Sequence, residues 1–380
     1  MQKILFYFII LFLSQITFAQ ITLSPNTKIS VLTCGTGDEL YSLFGHTGLR
    51  VQDPNNQLDI VYNFGMFDFS TPNFYTKFIK GDLLYFGTTE SFGNFMYQYQ
   101  YFGRSVVEQE LNIESSTKQK IFEDLNQILQ SDKKYYEYKF IDENCTTKVW
   151  QVLNQQLPVK ITKVGENFPS YREVINDKLG NRFFEKLGIN LMFGSKTDVA
   201  AAQIFLPEEL QESLDQQVKL KATNSLLPRL NKDYFSVWNH WWIWLVIVTF
   251  FSFVKLRIVS TIWFWMQGLL GLLLLFVGWY SHHYEVSNNY NPLVVNPILI
   301  GISLIWQSRN KIMFYSVISY FILSLVFVFL HFQKDHFWIM CTFLIPNWWI
   351  LYRKMIENYN YHNILKNTSI FNKISSHKKL

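Results

Sequence analysis

Cysteine is scarce. Three occur in 380 residues, Cys34, Cys145 and Cys341, and none share a CxxC spacing. No HxxxH spacing occurs either, so a zinc site has no pattern behind it, and His46 with Cys34 and Cys145 is left as the one weak metal reading. Histidine is scarcer still where it counts: between residues 20 and 235 His46 stands alone. The net charge of +5 is modest, and no Lys- or Arg-rich run precedes the extreme C-terminus. A nucleic-acid partner is therefore not expected. Repeats and low-complexity segments are absent. No cysteine closely follows the N-terminal apolar run, which excludes a lipoprotein precursor of the usual kind.

Charge is also missing from long stretches, and that absence organises the chain. The N-terminus, MQKILFYFIILFLSQITFAQ, carries Lys3 and then an apolar run from Ile4 to Leu13. That run is too short for a bilayer of ~30 Å. With Thr17, Phe18 and Ala19 as a small-x-small site, residues 1–19 read as a signal peptide, and an uncleaved anchor is the alternative. Residues 20–235 are mixed in character and are expected outside the cytoplasm. Beyond Ser236 five nearly uncharged stretches follow, at 237–254, 261–280, 292–306, 313–332 and 337–352. They predict a five-helix membrane domain over 236–352, with uncertain ends for the third and fifth, and a basic tail over 353–380. Lys255, Arg257, Arg309, Lys311 and the tail then face the cytoplasm, and Lys334 is the only Lys or Arg in the opposite loops. Trp238, Trp241, Trp242, Trp279, Trp348 and Trp349 lie near the expected interfaces. Gln267, Asn291 and Asn296 are polar but uncharged, so no proton path or transport is indicated. The chain is thus expected to be a multi-pass membrane protein with its first domain exported and its C-terminus in the cytoplasm.

The first domain reads as α+β. HTGLRVQD, DIVYNFGMFDF and DLLYFGTT alternate or are rich in Val, Tyr and Phe, as strands are. SSTKQKIFEDLNQILQSDKK opens with Ser/Thr and places Ile121, Phe122, Leu125, Ile128 and Leu129 on one helical stripe. NCTTKVWQVLNQQLP places Val149, Val152, Leu153 and Leu157 on another, ended by Pro158, with Asn144 as N-cap.

Cys145 therefore opens a helix. Unpaired N–H groups and the helix dipole favour its thiolate there. A thiol nucleophile needs a base, and His46 is the imidazole on offer. Three plainer readings compete: a Cys34–Cys145 disulfide, an inert buried thiol, and a structural histidine. Asn63 is the first choice for the group that orients His46, Asp68 the second, and Asp38 and Glu39 could also reach. The backbone N–H of Cys145 with a neighbouring polar group is a candidate oxyanion hole.

FGHTGLRV, followed about a hundred residues later by ENCTTKVW, resembles the circularly permuted branch of the NlpC/P60 papain-like superfamily, in which the histidine strand precedes the cysteine helix. More closely, YNFGMFDFSTPNFYTKFIKGDLLY, YFGRSVVEQELN, IDENCTTKV and IFLP resemble the DUF4105 or Lnb-type family of Bacteroidetes membrane proteins, whose pattern includes a C-terminal block of membrane helices. The resemblance implies an α+β permuted papain-like exported domain followed by a five-helix transmembrane domain. It implies a thiol acyltransferase that uses no cofactor and no metal. Its partners would be a membrane lipid acyl donor and a lipoprotein acceptor, whose lipid-modified N-terminal cysteine is acylated on its α-amino group. Arg104, Tyr171 and Arg172 match the family pattern and are expected to bind a phosphate or ester head group, with a structural salt bridge as the plainer reading. The alternative function is a membrane-anchored NlpC/P60-like cysteine peptidase or amidase acting on cell-wall peptides. A non-enzymatic, disulfide-bridged membrane protein is the third.

Overall fold

The computed structural model describes residues 21–230, 236–306 and 311–377, with side chains to residue 357. The expected signal peptide lies outside the described residues.

Seven antiparallel strands form one sheet: β1 (Lys28–Cys34), β2 (His46–Asp53), β3 (Leu58–Met66), β4 (Leu84–Ser91), β5 (Val106–Leu111), β6 (Tyr135–Glu137) and β7 (Leu220–Leu227). Their spatial order is β6-β4-β3-β2-β1-β5-β7. The predicted strands fall on β2, β3 and β4. Helices α1 (Phe74–Lys80) and α2 (Phe92–Tyr101) flank β4, and α3 (Ser115–Gln130) and α4 (Cys145–Gln156) follow. Helices α5 (Tyr171–Leu179), α6 (Phe183–Met192) and α7 (Pro207–Gln217) complete the domain.

Side chains alternate across a strand, so each strand feeds two cores. Ile29, Val31, Leu49, Val51, Tyr62 and Phe64 meet the stripes of α3, α4 and α7 on one face. Leu32, Cys34, Val61 and Val106 meet Phe95 and Tyr99 of α2 on the other. The stripe expected on α3 is buried through Ile121, Phe122 and Leu125. Its start differs from expectation, because Glu114 is the N-cap and no side chain caps the helix. For α4 the N-cap is Asn144: its Oδ1 accepts from Thr147 N at 2.9 Å while Thr147 Oγ1 accepts from Asn144 N at 2.8 Å, a reciprocal cap.

The C-terminal half is helical: α8 (Trp241–Phe253), α9 (Arg257–Tyr280), α10 (Ile298–Leu304), α11 (Lys311–His331) and α12 (Phe337–His377). Each of the five apolar stretches carries one helix. Two of them, α9 and α11, are long and apolar enough to cross a membrane. The third has seven residues, because Pro297 stands at its N-cap and the residue before a proline is disfavoured in α geometry. Pro346 does not end the fifth, which runs on through the expected tail. Inside this bundle Asn347 donates to Gln267 Oε1 and Tyr320 Oη, both at 2.7 Å. It accepts from Trp263 Nε1 and Gln267 Nε2, both at 2.8 Å. Gln267 thus has a structural partner. Gly271 lets α9 close on the Val295 carbonyl, where any Cβ would collide.

The two halves are bolted together. Glu285, 1 % exposed, accepts from Ile141 N at 2.9 Å, and its own carbonyl accepts from Gly194 N at 2.7 Å. Lys139 Nζ donates to the His282 carbonyl at 2.9 Å.

Candidate active site

The site forms where the end of β2 meets the tip of α4. His46 opens β2, opposite Cys34 of β1, and Asn63 sits across from Gly48 on β3. Alternation puts His46, Asn63 and Glu90 of β4 on the face covered by α2 and sends Thr47 to the α4 face. Thr47 Oγ1 and Thr146 Oγ1 share a hydrogen bond of 2.9 Å, fully buried. Each threonine is the chain neighbour of a candidate catalytic residue. The bond therefore fixes His46 against Cys145.

Gly65 completes the approach. Its φ is +83°, a region that favours glycine, and a Cβ there would sit 3.6 Å from Cys145 Cβ. The cap set by Asn144 is locked from outside too, since its Nδ2 donates to the carbonyls of Phe140 and Phe205, both at 2.8 Å.

Cys145 is half-buried and free. Burial works against its thiolate. The positive charge of His46 and a hydrogen bond from it, the Thr47 backbone N–H and the Thr146 hydroxyl together overcome that, and the thiol titrates below its usual value. His46 moves the other way. Burial disfavours its charged form, but the Cys145 thiolate and Asn63 outweigh burial and raise it. Each shift favours the charged form of its group, thiolate for Cys145 and imidazolium for His46.

A chain of hydrogen bonds fixes the ring. Asn63 Nδ2 donates to Glu90 Oε1 at 2.8 Å, which turns Asn63 Oδ1 toward His46 Nε2 at 3.1 Å. Nε2 must then carry a proton, and Nδ1 is the nitrogen left to exchange one with the thiol. Gln98 Nε2 donates to Glu90 Oε2 at 3.1 Å. Burial raises Glu90 above the usual carboxylate value, opposed by Asn63 and His46.

Cys34 differs. It is 1 % exposed and free, and burial pushes its thiol up to about 12, against a hydrogen bond from Tyr99. The Cys34–Cys145 disulfide is not formed, and among the described residues no cluster of ligands fits a metal.

Other expected site residues go different ways. Arg104 is near: its charge acts on both His46 and Cys34, its Nε donates to the Gly35 carbonyl at 2.8 Å, and its buried Nη2 has no hydrogen-bond partner. Arg172 is 1 % exposed and spent on Asp198 at 2.5 Å, Asn190 at 3.3 Å and the carbonyls of Phe193 and Gly194. It is a brace between segments, buried away from any head group. Tyr171 is buried with its ring 5.2 Å from Phe205. Asp68 is exposed and accepts from Ser70 N at 2.8 Å and Ser70 Oγ at 2.7 Å, so it does not orient His46. Asp38 pairs with Arg182, and the Glu39 carbonyl holds Ser42. Sequence reasoning missed Thr47, Glu90 and Gln98. Thr146 lay inside the quoted NCTT, but its partner across 99 positions carried no local signal.

The Lnb N-terminal periplasmic domain model matches residues 17–177, and the Lnb transmembrane domain model matches residues 230–361. No curated protein and no solved structure matches the chain. With models of one family on both halves, over more than half of its length, the chain belongs to the Lnb-type family and is a membrane protein with a periplasmic domain.

Proposed function

We propose that this chain is a lipoprotein N-acyltransferase of the bacterial inner membrane, with five spans, its site in the periplasm and its C-terminus in the cytoplasm. The observation that carries the reading is the half-buried Cys145 thiol, biased to thiolate by His46, in a chain whose second half is an Lnb transmembrane domain. The histidine-strand, cysteine-helix order and the Cys–His–Asn grouping support a permuted papain-like arrangement of the NlpC/P60 kind.

The reaction takes two steps. Cys145 Sγ attacks the ester carbonyl of a membrane lipid, the carbonyl–alkoxy bond breaks, and the imidazolium of His46 gives its proton to the departing alkoxide. A thioester and a neutral imidazole remain. The α-amine of the lipid-modified cysteine then attacks the thioester, His46 takes the amine proton, and the thiolate leaves. Thiolate and imidazolium are restored. The backbone N–H of Cys145, in the first turn of α4 where N–H groups have no intrahelical acceptor, would face the oxyanion. Arg104 supplies a spare donor for the head group.

The test is to trap the intermediate. The membrane-embedded wild type, incubated with phospholipid and no acceptor, is expected to carry a hydroxylamine-labile acyl mass on the Cys145 peptide, absent from Cys145→Ser. Release of cell-wall peptide fragments with no acyl mass at Cys145 would replace the transferase with the amidase.

A further inference from the structure

Between β3 and β4 runs FDFSTPNFYTKFIK, residues 67–80. Five of its fourteen side chains are aromatic, and several face outward: Phe69 is 63 % exposed, Tyr75 74 % and Phe78 46 %. Exposed apolar surface of this density marks a contact site, since each Å² left in water forgoes about 25 cal/mol. The rings form a continuous file. Phe67 stands 6.2 Å from Tyr41 and 5.0 Å from Phe69, Phe69 stands 4.9 Å from Phe74, and Phe74 stands 6.4 Å from Phe78.

Both ends of the file are anchored. At one end Gly65, two residues before Phe67, lies against Cys145. At the other, the Lys80 carbonyl accepts from His282 N at 2.7 Å, and His283 Nε2 bonds the Phe78 carbonyl at 2.8 Å. Those histidines directly follow α9, whose last turns expose Leu275, Phe276 and Trp279. The file of rings thus joins, at Phe78 and Lys80, the end of a helix long and apolar enough to cross a membrane, and its other end lies two residues from the glycine that packs on Cys145. Lys77 sits in the last turn of α1, where a long cationic side chain suits a head-group layer, and Lys80 beside it pairs with Asp82.

We infer that residues 67–80 are a membrane-seated ramp along which an acyl chain of an outer-leaflet phospholipid reaches Cys145, an inference that rests on the acyl-transfer reading above. A phospholipid, rather than the lipoprotein's own glyceride, fits Arg104. Its unpartnered buried Nη2 lies in the electrostatic field of the site and suits a phosphate diester, which a glyceride lacks.

The full-length protein is reconstituted in phosphatidylethanolamine vesicles that carry a diazirine on the acyl chain. After photolysis, adducts are mapped by peptide mass spectrometry. Adducts on residues 67–80 as well as on α9 are expected, and α9 labelled with 67–80 bare overturns the ramp. In parallel, the wild type and a Phe69→Ser/Tyr75→Ser variant are compared by the ratio of Cys145 acylation from these vesicles to that from soluble p-nitrophenyl butyrate. The ratio is expected to fall about tenfold in the variant, the equivalent of ~1.4 kcal/mol of lost lipid contact. An unchanged ratio overturns the ramp, as does acylation that needs a lipoprotein glyceride and never occurs from phosphatidylethanolamine. Photolabelling needs no chemistry. A wild type labelled at 67–80 but never acylated by either ester overturns the acyl-transfer reading and the donor route with it, whereas an acylated protein with a bare segment overturns the ramp alone.

Discussion

Two asparagines sit at the centres of two buried networks, and they do opposite things. Asn347, in the helical half, joins Trp263, Gln267 and Tyr320 in a ring of uncharged groups that satisfy one another. Asn63, in the periplasmic half, lies between two titratable groups, His46 and Glu90, and the line ends at a half-buried thiol. The first network ends on a backbone carbonyl, Val294, which accepts from Tyr320 Oη at 3.1 Å, and it pins α9, α11 and α12 in an apolar setting. The second is open at one end. Its bonds leave one ring nitrogen of His46 for the half-buried sulfur of Cys145. The same amide thus serves packing in one half and proton placement in the other, and the groups at its two ends decide which.

Substitutions separate the two roles. The largest effect is expected from His46→Ala, which removes both the base and the charge that favours the thiolate. Acyl transfer should fall by about a thousandfold or more. The sign of the pH effect is fixed: His46 holds the Cys145 thiol below its usual value, so without it the thiol titrates higher. Alkylation of Cys145 by iodoacetamide at neutral pH should slow by about tenfold, with its midpoint moved to higher pH. A midpoint that stays put would remove His46 from the pair.

Asn347→Leu comes next, and it should act on stability alone. It leaves Gln267 and Trp263 without partners in an apolar bundle, while Tyr320 keeps the Val294 carbonyl, at a cost of about 2–3 kcal/mol. Thermal unfolding in detergent should shift down while acyl transfer per folded molecule holds. Asn63→Ala should do the reverse. The backbone stays put, the imidazole loses its orientation, and kcat should fall about thirtyfold with little change in melting temperature. If both variants fell in stability alone, the distinction between the networks would collapse.

The smallest effect is expected from Glu90→Gln. A neutral amide no longer dictates which way Asn63 faces, and it removes a negative charge near His46. The activity loss should be about threefold. The alkaline limb of the pH profile should move down, because the imidazolium loses a stabilising charge. An upward or absent shift would detach Glu90 from the line.

The parts legible in the sequence are those whose signals are local. Strand β2 shows in the alternation of HTGLRVQD, and α4 in its N-cap and stripe. Cys145 follows from position, at the first turn of a capped helix, and His46 from being alone. Asn63 needed a guess about which strand would lie beside β2. The harder parts are set by distant partners. Strand β7 buries none of its residues and, among the described residues, lies at the sheet edge against β5, so its sequence carries little alternation to find. Arg172 reads as an accessible basic residue in FPSYREV, yet Asp198 and the carbonyls of Phe193 and Gly194 bury it completely. Glu90 carries no signal in TTES, because its role depends on where β4 pairs with β3. In the helical half, hydropathy located the stretches. It could not foresee that Pro297 would shorten the third helix while Pro346 was absorbed by the fifth.

The most direct measurement is mass spectrometry of the N-terminal lipopeptide of a reporter lipoprotein, made in a host without its own N-acyltransferase. Host alone, host with this protein, and host with Cys145→Ala are compared. One added acyl mass with the wild type, lost with Cys145→Ala, is the predicted result. No added mass despite sound membrane expression would contradict the function, and an added mass that survives Cys145→Ala would contradict the thioester mechanism.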